Sequence, residues 1–456
     1  MNRSTKSRYI AFVSALVTLL VLSGCESERN RERSVIWSPD GQRAAVIGSE
    51  GLFFIDGDGK VLVPRLPGSL IDCAWFHDNQ RLAVARSVPA TSWKQIADML
   101  SKESQDSVRK DAEGVREQLM AYQGNLKDFS WEPSLPWQGA REAIQLYLRD
   151  EAPGKLPEKS GAAWNELQKI EIDIWQLQLF SLNGDRLEPG EVISKSLDRL
   201  FGPRISPNEK HIAYMADDAS DDSHSISLSV IPASGGTSRY LSDNVVTNPA
   251  WSPDSGSLAY IVNSKENVSI GELEIERVTD DNGALLDSPV QKTEKAILAV
   301  GVNAIRWMSD GRLMFSSFEI TLPQTASDDF ANWSVFAFDP RTPAGVSRVI
   351  GHDFDRKLSL TLQGFEISPD GKRILLPGEA GQWLIYEFAT GKTAALLPPD
   401  TSGLETFDLA SWRSNDEISL TMSAKNPDAS YQPKEAFLIK DSKIRNISRD
   451  WPKEMK

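Results

Sequence analysis

Cysteine and histidine are both scarce in this chain of 456 residues, which holds two of the first and four of the second. Cys25 follows directly on the first apolar stretch, so Cys73 is the one thiol left to the body of the chain. A disulfide within the folded part is thereby excluded, and stability must come from a packed core. The histidines, His77, His211, His224 and His352, form no HxxH or HExxH spacing, which removes a zinc site built from a local motif. A G-x-S-x-G nucleophile elbow and a Walker-type phosphate loop are also missing. Positive charge is the minority sign: 50 Lys and Arg against 64 Asp and Glu give a net charge of −14. Such a balance disfavours nucleic acid or an anionic membrane face as a partner, because both repel it.

The first 25 residues read as a leader. Arg3, Lys6 and Arg8 make a basic start with no acidic residue, and Ile10 to Leu22 is apolar apart from small hydroxyl residues. That run falls short of the roughly 20 residues of a membrane-spanning helix and fits the apolar region of a signal peptide. It closes on Leu22, Ser23, Gly24 and Cys25, which resembles the lipobox of bacterial lipoproteins. The resemblance implies cleavage before Cys25 and a diacylglyceryl anchor on its thiol. Glu26 stands where an aspartate would favour retention in the inner membrane, so the resemblance implies the periplasmic side of the outer membrane. With the leader gone, 47 basic residues face 64 acidic ones, a net charge of −17. Residues 26–33 are left as a tether. About eight extended residues reach roughly 27 Å, so the folded part works close to the membrane.

Self-comparison finds one unit seven times over. The copies start at Ile36, Ala74, Arg204, Ala250, Arg306, Glu366 and Ser411. Each has an apolar anchor (Trp37, Trp75, Ile205, Trp251, Trp307, Ile367, Trp412), a polar turn and a β-prone run. In Ser38-Pro39-Asp40-Gly41, Pro39 pre-sets φ, Asp40 suits the second central position, and Gly41 takes the left-handed conformation that reverses the chain. A second alternating segment follows each hairpin, as in LFFIDGDGKVLV from Leu52 and QWLIYEFATGKTAALL from Gln382. Each unit therefore predicts four short antiparallel strands, the signature of a propeller blade.

These units resemble the WSPDG-type, WD40-like repeats of TolB and related propellers. The likeness is plain in the first, fourth and sixth copies and weak in the second, fifth and seventh, where Phe76-His77-Asp78, Met308-Ser309-Asp310 and Arg413-Ser414-Asn415 replace Ser-Pro-Asp. Seven anchors predict an all-β propeller of seven four-stranded blades over 34–456, whereas TolB has six blades and a separate N-terminal domain. A sandwich or two smaller domains is the alternative. The order, inner strand first and outer strands last, predicts that no strand is exchanged between the first and last blades.

One spacing breaks the period, between Trp75 and Ile205. Trp93, Ile96, Ala97 and Leu100 fall at helical spacing behind a Ser92/Gln95 capping box, and Val108, Ala112, Val115, Leu119 and Tyr122 continue it. Helices are also predicted over Ala140 to Leu148 and Ala162 to Leu167, giving an α-helical insertion at 88–165 in the second blade. Between its helices, Trp131, Pro133, Pro136 and Trp137 could present an aromatic partner-binding surface or pack the insertion onto the propeller rim.

Asp56-Gly57-Asp58-Gly59 has calcium-like spacing without a distal Glu ligand and falls where a hairpin turn is needed. Asp217, Asp218, Asp221 and Asp222 near His224 could line a cation site or a solvated loop. Neither cluster makes a metal site or a cofactor part of the expected function. The leading expectation is a non-enzymatic, lipid-anchored periplasmic scaffold that docks an envelope protein or complex. The alternative is a ligand-binding or lyase-type propeller acting on cell-wall or polysaccharide fragments.

Overall fold

A computed structural model describes residues 33–48, 51–66, 70–135, 137, 139–151, 162–184, 186–218, 225–263, 271–286, 292–299, 304–318, 333–342, 346–350, 365–377, 383–396, 404–424, 434–441, 443–449 and 451. Cys25, the leader and the tether up to residue 32 lie outside them, and Arg33 already belongs to the first strand.

The strands form seven four-stranded antiparallel sheets, each built from consecutive strands, arranged as a β-propeller. Blade one holds β1 (Arg33–Trp37), β2 (Arg43–Gly48), β3 (Gly51–Asp56) and β4 (Val61–Leu66). Blade two holds β5 (Leu70–Trp75), β6 (Arg81–Ala90), β7 (Ile172–Asn183) and β8 (Arg186–Ser196). The same order repeats from Arg199 to Ser242, Ala250 to Ala299, Ile305 to Ile350, Glu366 to Ala395 and Leu404 to Asn446.

Alternation explains why the second strands read as continuous apolar runs. In β2, Ala45 and Ile47 pack toward Trp75 and Leu82 of blade two, while Ala44 and Val46 pack toward Ala436 and Leu438 of blade seven. Successive side chains point to opposite faces, so a strand covered on both sides is apolar at every position. Seven such clusters fill the seven blade interfaces. The fourth strands of blades six and seven, Lys392–Ala395 and Lys443–Asn446, are mostly exposed and correspondingly more polar.

Among the described residues no strand of blade one lies in the sheet of blade seven, as the strand order predicted. The ring closes through side chains. Phe53 meets Trp451 edge to face with ring centroids 5.3 Å apart, Trp451 Nε1 donates to the Gly59 carbonyl at 3.0 Å, and Arg445 pairs with Asp58 at 2.6 Å. Gly41, at φ +67°, is needed at this seam for a second reason: a Cβ there would stand 2.6 Å from the Arg413 carbonyl oxygen.

The insertion leaves blade two between β6 and β7 as helices α1 (Trp93–Ala97), α2 (Lys102–Ala121), α3 (Ala140–Glu151) and α4 (Ala162–Leu167). β6 runs on to Ala90, past the expected start at 88, and α4 runs to Leu167, past the expected end at 165. The strands extend because Val88, Pro89 and Ala90 stay in register with Ile174, Asp173 and Ile172. Gln95 Oε1 accepts from the Ser92 amide at 3.1 Å, as the capping box requires. Val108, Ala112, Val115 and Leu119 form the buried stripe of α2 and meet Trp93, Ile96 and Ile144 in a cluster of the insertion's own.

Candidate functional site

Antiparallel order puts the turns after first strands on one face of the ring, and the loops between second and third strands on the other. The insertion therefore stands on the face opposite the WSPDG-type turns. First strands contact one another in turn from blade one to blade five, and again between blades six and seven, which places them innermost.

Two devices tie these inner strands together. The first is the anchor indole, which donates to the backbone carbonyl just before the preceding blade's anchor. Trp75 Nε1 reaches Ile36 at 2.9 Å, Trp251 reaches Arg204 at 2.9 Å, Trp307 reaches Ala250 at 3.0 Å and Trp412 reaches Glu366 at 3.2 Å. The second is a latch between turns. Asn79, Glu209 and Ser255, each near φ +60°, stand where blade one has Gly41, and their side chains accept from the preceding turn's amides on Asp40 (2.9 Å), Asp78 (3.1 Å) and Asn208 (2.9 Å). Asn415 does the same for Asp370 at 2.9 Å. A left-handed residue other than glycine is uncommon, and here it carries the acceptor.

The devices are unevenly spread. Blades two and three have Ile205 in place of an indole but keep the Glu209 latch, which also pairs with Arg81 at 2.7 Å. Blades four and five keep the indole and have Gly311 at the latch position. Between blades five and six both are missing, since Ile367 and Gly371 occupy the two positions. There a cleft of 190 Å³ opens, lined by Arg306, Trp307, Met308 and Glu366 among others.

Charged side chains at the residue before the anchor pair across blades. Arg306 meets Glu366 at 2.7 Å, with both about one-third exposed, and Arg204 stands 3.7 Å from the buried Asp72. Sequence reasoning missed this set, although the signal was present: Arg204, Arg306 and Glu366 each directly precede an anchor. A buried pair joins blades three and four, where Arg239 bonds Glu276, whose other oxygen accepts from Tyr260 at 2.9 Å. Burial, then the Glu276 carboxylate, push the Tyr260 phenol well above its usual range.

The residues named from sequence fall as follows. Trp131 is buried in the cluster of the insertion, beside Phe129 with centroids 6.5 Å apart and under the Arg141 guanidinium at 5.6 Å. Trp137 is half-buried against the same cluster, Pro133 is half-buried, and Pro136 lies outside the described residues. Ser134 holds the loop to α2 through Asp111, at 2.7 Å from its amide and 2.6 Å from its hydroxyl. Asp56 accepts from the Asp58 and Lys60 amides, both at 2.9 Å, so this turn uses its carboxylates for itself and for Arg445. Asp217 and Asp218 end a strand of blade three, while Asp221, Asp222 and His224 lie outside the described residues. His77 sits exposed in its turn, 3.8 Å from Glu209, and His211 is buried and stacks on Trp251 with centroids 6.3 Å apart. His352 lies outside the described residues. Among the described residues no group of three or more His, Cys, Asp or Glu is placed to hold a metal ion, and no helix is long and apolar enough to cross a membrane.

No protein-family model matches the chain, and no curated protein matches it in sequence. Among solved structures it is similar to TolB from Acinetobacter baumannii, at 16% identity over 59% of this chain and 57% of that one, with a TM-score of 0.37. It is also similar to an oligogalacturonate lyase in complex with manganese, at 14% identity over 80% of this chain and 77% of that one, with a TM-score of 0.40. A third is the β-propeller domain of the Trilobed protease from Pyrococcus furiosus, at 14% identity over 55% of this chain and 72% of that one, with a TM-score of 0.34. This chain spans a little over half the length of the Acinetobacter TolB. The seven-bladed propeller anticipated from the repeats is present, and TolB proteins are among the structures similar to it.

Proposed function

We propose that this chain is a lipoprotein, anchored through Cys25 to the periplasmic face of the outer membrane, whose propeller serves as a non-catalytic docking scaffold for an envelope protein or complex. The observation that supports scaffolding is the insertion: a helical unit with a core of its own, raised on the paired extensions of β6 and β7 over one face of the ring. A unit so mounted adds exposed surface without disturbing the blade cores, and its stiff base suits a recognition element. Affinity capture of the lipidated protein from cross-linked envelopes tests the reading. One enriched envelope complex is the expected result, and no enriched protein would overturn it. For the anchor, Cys25→Ser should release the protein from washed membranes, and retention would remove lipid as the explanation.

A second reading, a ligand-binding or lyase-type propeller for cell-wall or polysaccharide fragments, is favoured by the cleft with its Arg306–Glu366 pair and Trp307. Retention of glycan in the same capture, without protein, would support it.

A further inference from the structure

Four blade interfaces share one construction: an indole from the following blade crosses the inner strands and donates to the carbonyl ahead of the preceding anchor. Blade six cannot do this, because its anchor is Ile367. The strand register at blade five is the same as at blade four, with Arg306 and Trp307 opposite Met314 and Leu313 as Ala250 and Trp251 are opposite Ala259 and Leu258. The Arg306 carbonyl therefore stands where the Ala250 carbonyl receives Trp307. The latch position above it is also empty of a side chain, since Gly371 at φ +69° would have only Ser309 Oγ, at 3.8 Å, near an added Cβ.

From this internal comparison we infer that the cleft between blades five and six is a socket for a tryptophan side chain presented by a partner protein, its indole N–H donating to the Arg306 carbonyl. The inference rests on the docking-scaffold reading and adds to it a contact on the turn face, opposite the insertion, naming the chemistry of what docks there. The cleft, at 190 Å³, offers Met308 and Ile367 as apolar wall, with the Arg306–Glu366 pair, Ser309 and Ser368 as its polar lining. An apolar wall beside an oriented acceptor suits an indole, which is a large apolar body with a single donor. Buried tryptophans dominate the energetics of protein interfaces for the same reason.

The test uses the full chain in detergent and N-acetyl-tryptophanamide as probe, followed by ligand-observed NMR. Saturable binding is expected, with N-acetyl-leucinamide at least about ten-fold weaker, since it brings neither the area nor the donor. Ile367→Trp fills the socket from within, so it should abolish probe binding and raise the thermal midpoint. Ile367→Ala widens the socket and should keep binding. Probe binding that Ile367→Trp leaves unchanged, or no saturable binding to the folded wild type, overturns the inference. The scaffold reading fails separately: capture of no envelope protein would sink it while probe binding lost in Ile367→Trp still upheld the socket. Conversely, a partner that binds Ile367→Trp as tightly as wild type would sink only the socket.

Discussion

Arg413 of the last blade lays its guanidinium over the ring of Trp37 in the first, 4.7 Å from the centroid, and donates through Nε to the Gly41 carbonyl at 2.7 Å. Trp37 is the anchor indole of blade one, yet its buried Nε1 has no hydrogen-bond partner among the described residues. At the seam, then, a cation replaces the indole bond and the latch together. Arg413 is itself held by Glu417 at 2.7 Å, with both side chains mostly buried.

Removing Arg413 should loosen the ring where no shared strand closes it. Arg413→Ala forfeits the stacking on Trp37 and a hydrogen bond, and leaves Glu417 without its cation, for a loss of about 2–3 kcal/mol. Arg373 stacks in the same manner on Trp412, at 5.1 Å, but there the indole bond and the Asn415 latch remain. Arg373→Ala should therefore cost less. Urea midpoints of the two variants decide the point, and equal losses would show that the seam is no weaker than other interfaces.

The anchors and turns of the repeats were legible in the sequence because they recur, and the blades stand where Trp37, Trp251 and Ile367 placed them. The helical insertion was legible because its apolar spacing changes from two to nearly four. What could not be read were the departures from the repeat. Asn79 and Arg413 look like decay of the WSPDG pattern, whereas in the structure they carry the bonds between blades. Arg239 and Glu276 have no local signal at all, since their pairing depends on how two blades stack. Trp131 and Trp137 share one loop in the sequence, and only the folded insertion shows how much of each it covers.

Gly371→Asn should stabilise the propeller by about 1 kcal/mol. Asparagine tolerates the left-handed conformation, reduces the freedom of the unfolded chain and supplies the acceptor that Asn79 and Ser255 supply elsewhere. Its nearest neighbour for Cβ, Ser309 Oγ, lies at an ordinary 3.8 Å. Gly41→Asn, by contrast, meets the Arg413 carbonyl and should destabilise. Thermal midpoints moving in opposite directions are the expected result.

The Arg239–Glu276 pair, with side chains 7% and 2% exposed, should show the asymmetry of a buried ion pair. Arg239→Leu strands a carboxylate between blades three and four and should cost about 3–5 kcal/mol, whereas replacing both residues by leucine should cost far less. A double-mutant cycle in urea measures this, and additive losses would mean the pair is not coupled.

His211 should make the fold less stable as the pH falls. Burial, then the nearby Lys210 charge, hold its imidazole below the ordinary value of 6.5. The unfolded chain thus binds a proton that the folded one resists. The stabilisation is complete above about pH 6.5 and is lost as pH falls from there toward the lower folded value. His211→Phe keeps the stacking on Trp251 and removes the proton, so its urea midpoint should fall less than that of wild type between pH 7.5 and 5.5. Parallel curves for the two proteins would assign the loss at low pH to other groups.

Replacing residues 91–171 by a two-residue Asn-Gly turn should leave a folded propeller. Ala90 and Ile172 are directly paired, so the extended β6 and β7 already end at hairpin distance, and Asn-Gly favours the turn that such a hairpin needs. The cluster of the insertion is distinct from those at the blade interfaces, which keep all their members when the helices are gone. Ala90, Ile174 and Leu197 lose their cover, and a modest fall in thermal midpoint is expected from that exposure. A monomer with an intact β circular-dichroism spectrum would establish the ring as self-sufficient without the insertion, while aggregation of the shortened chain would make the helices part of the propeller's own stability.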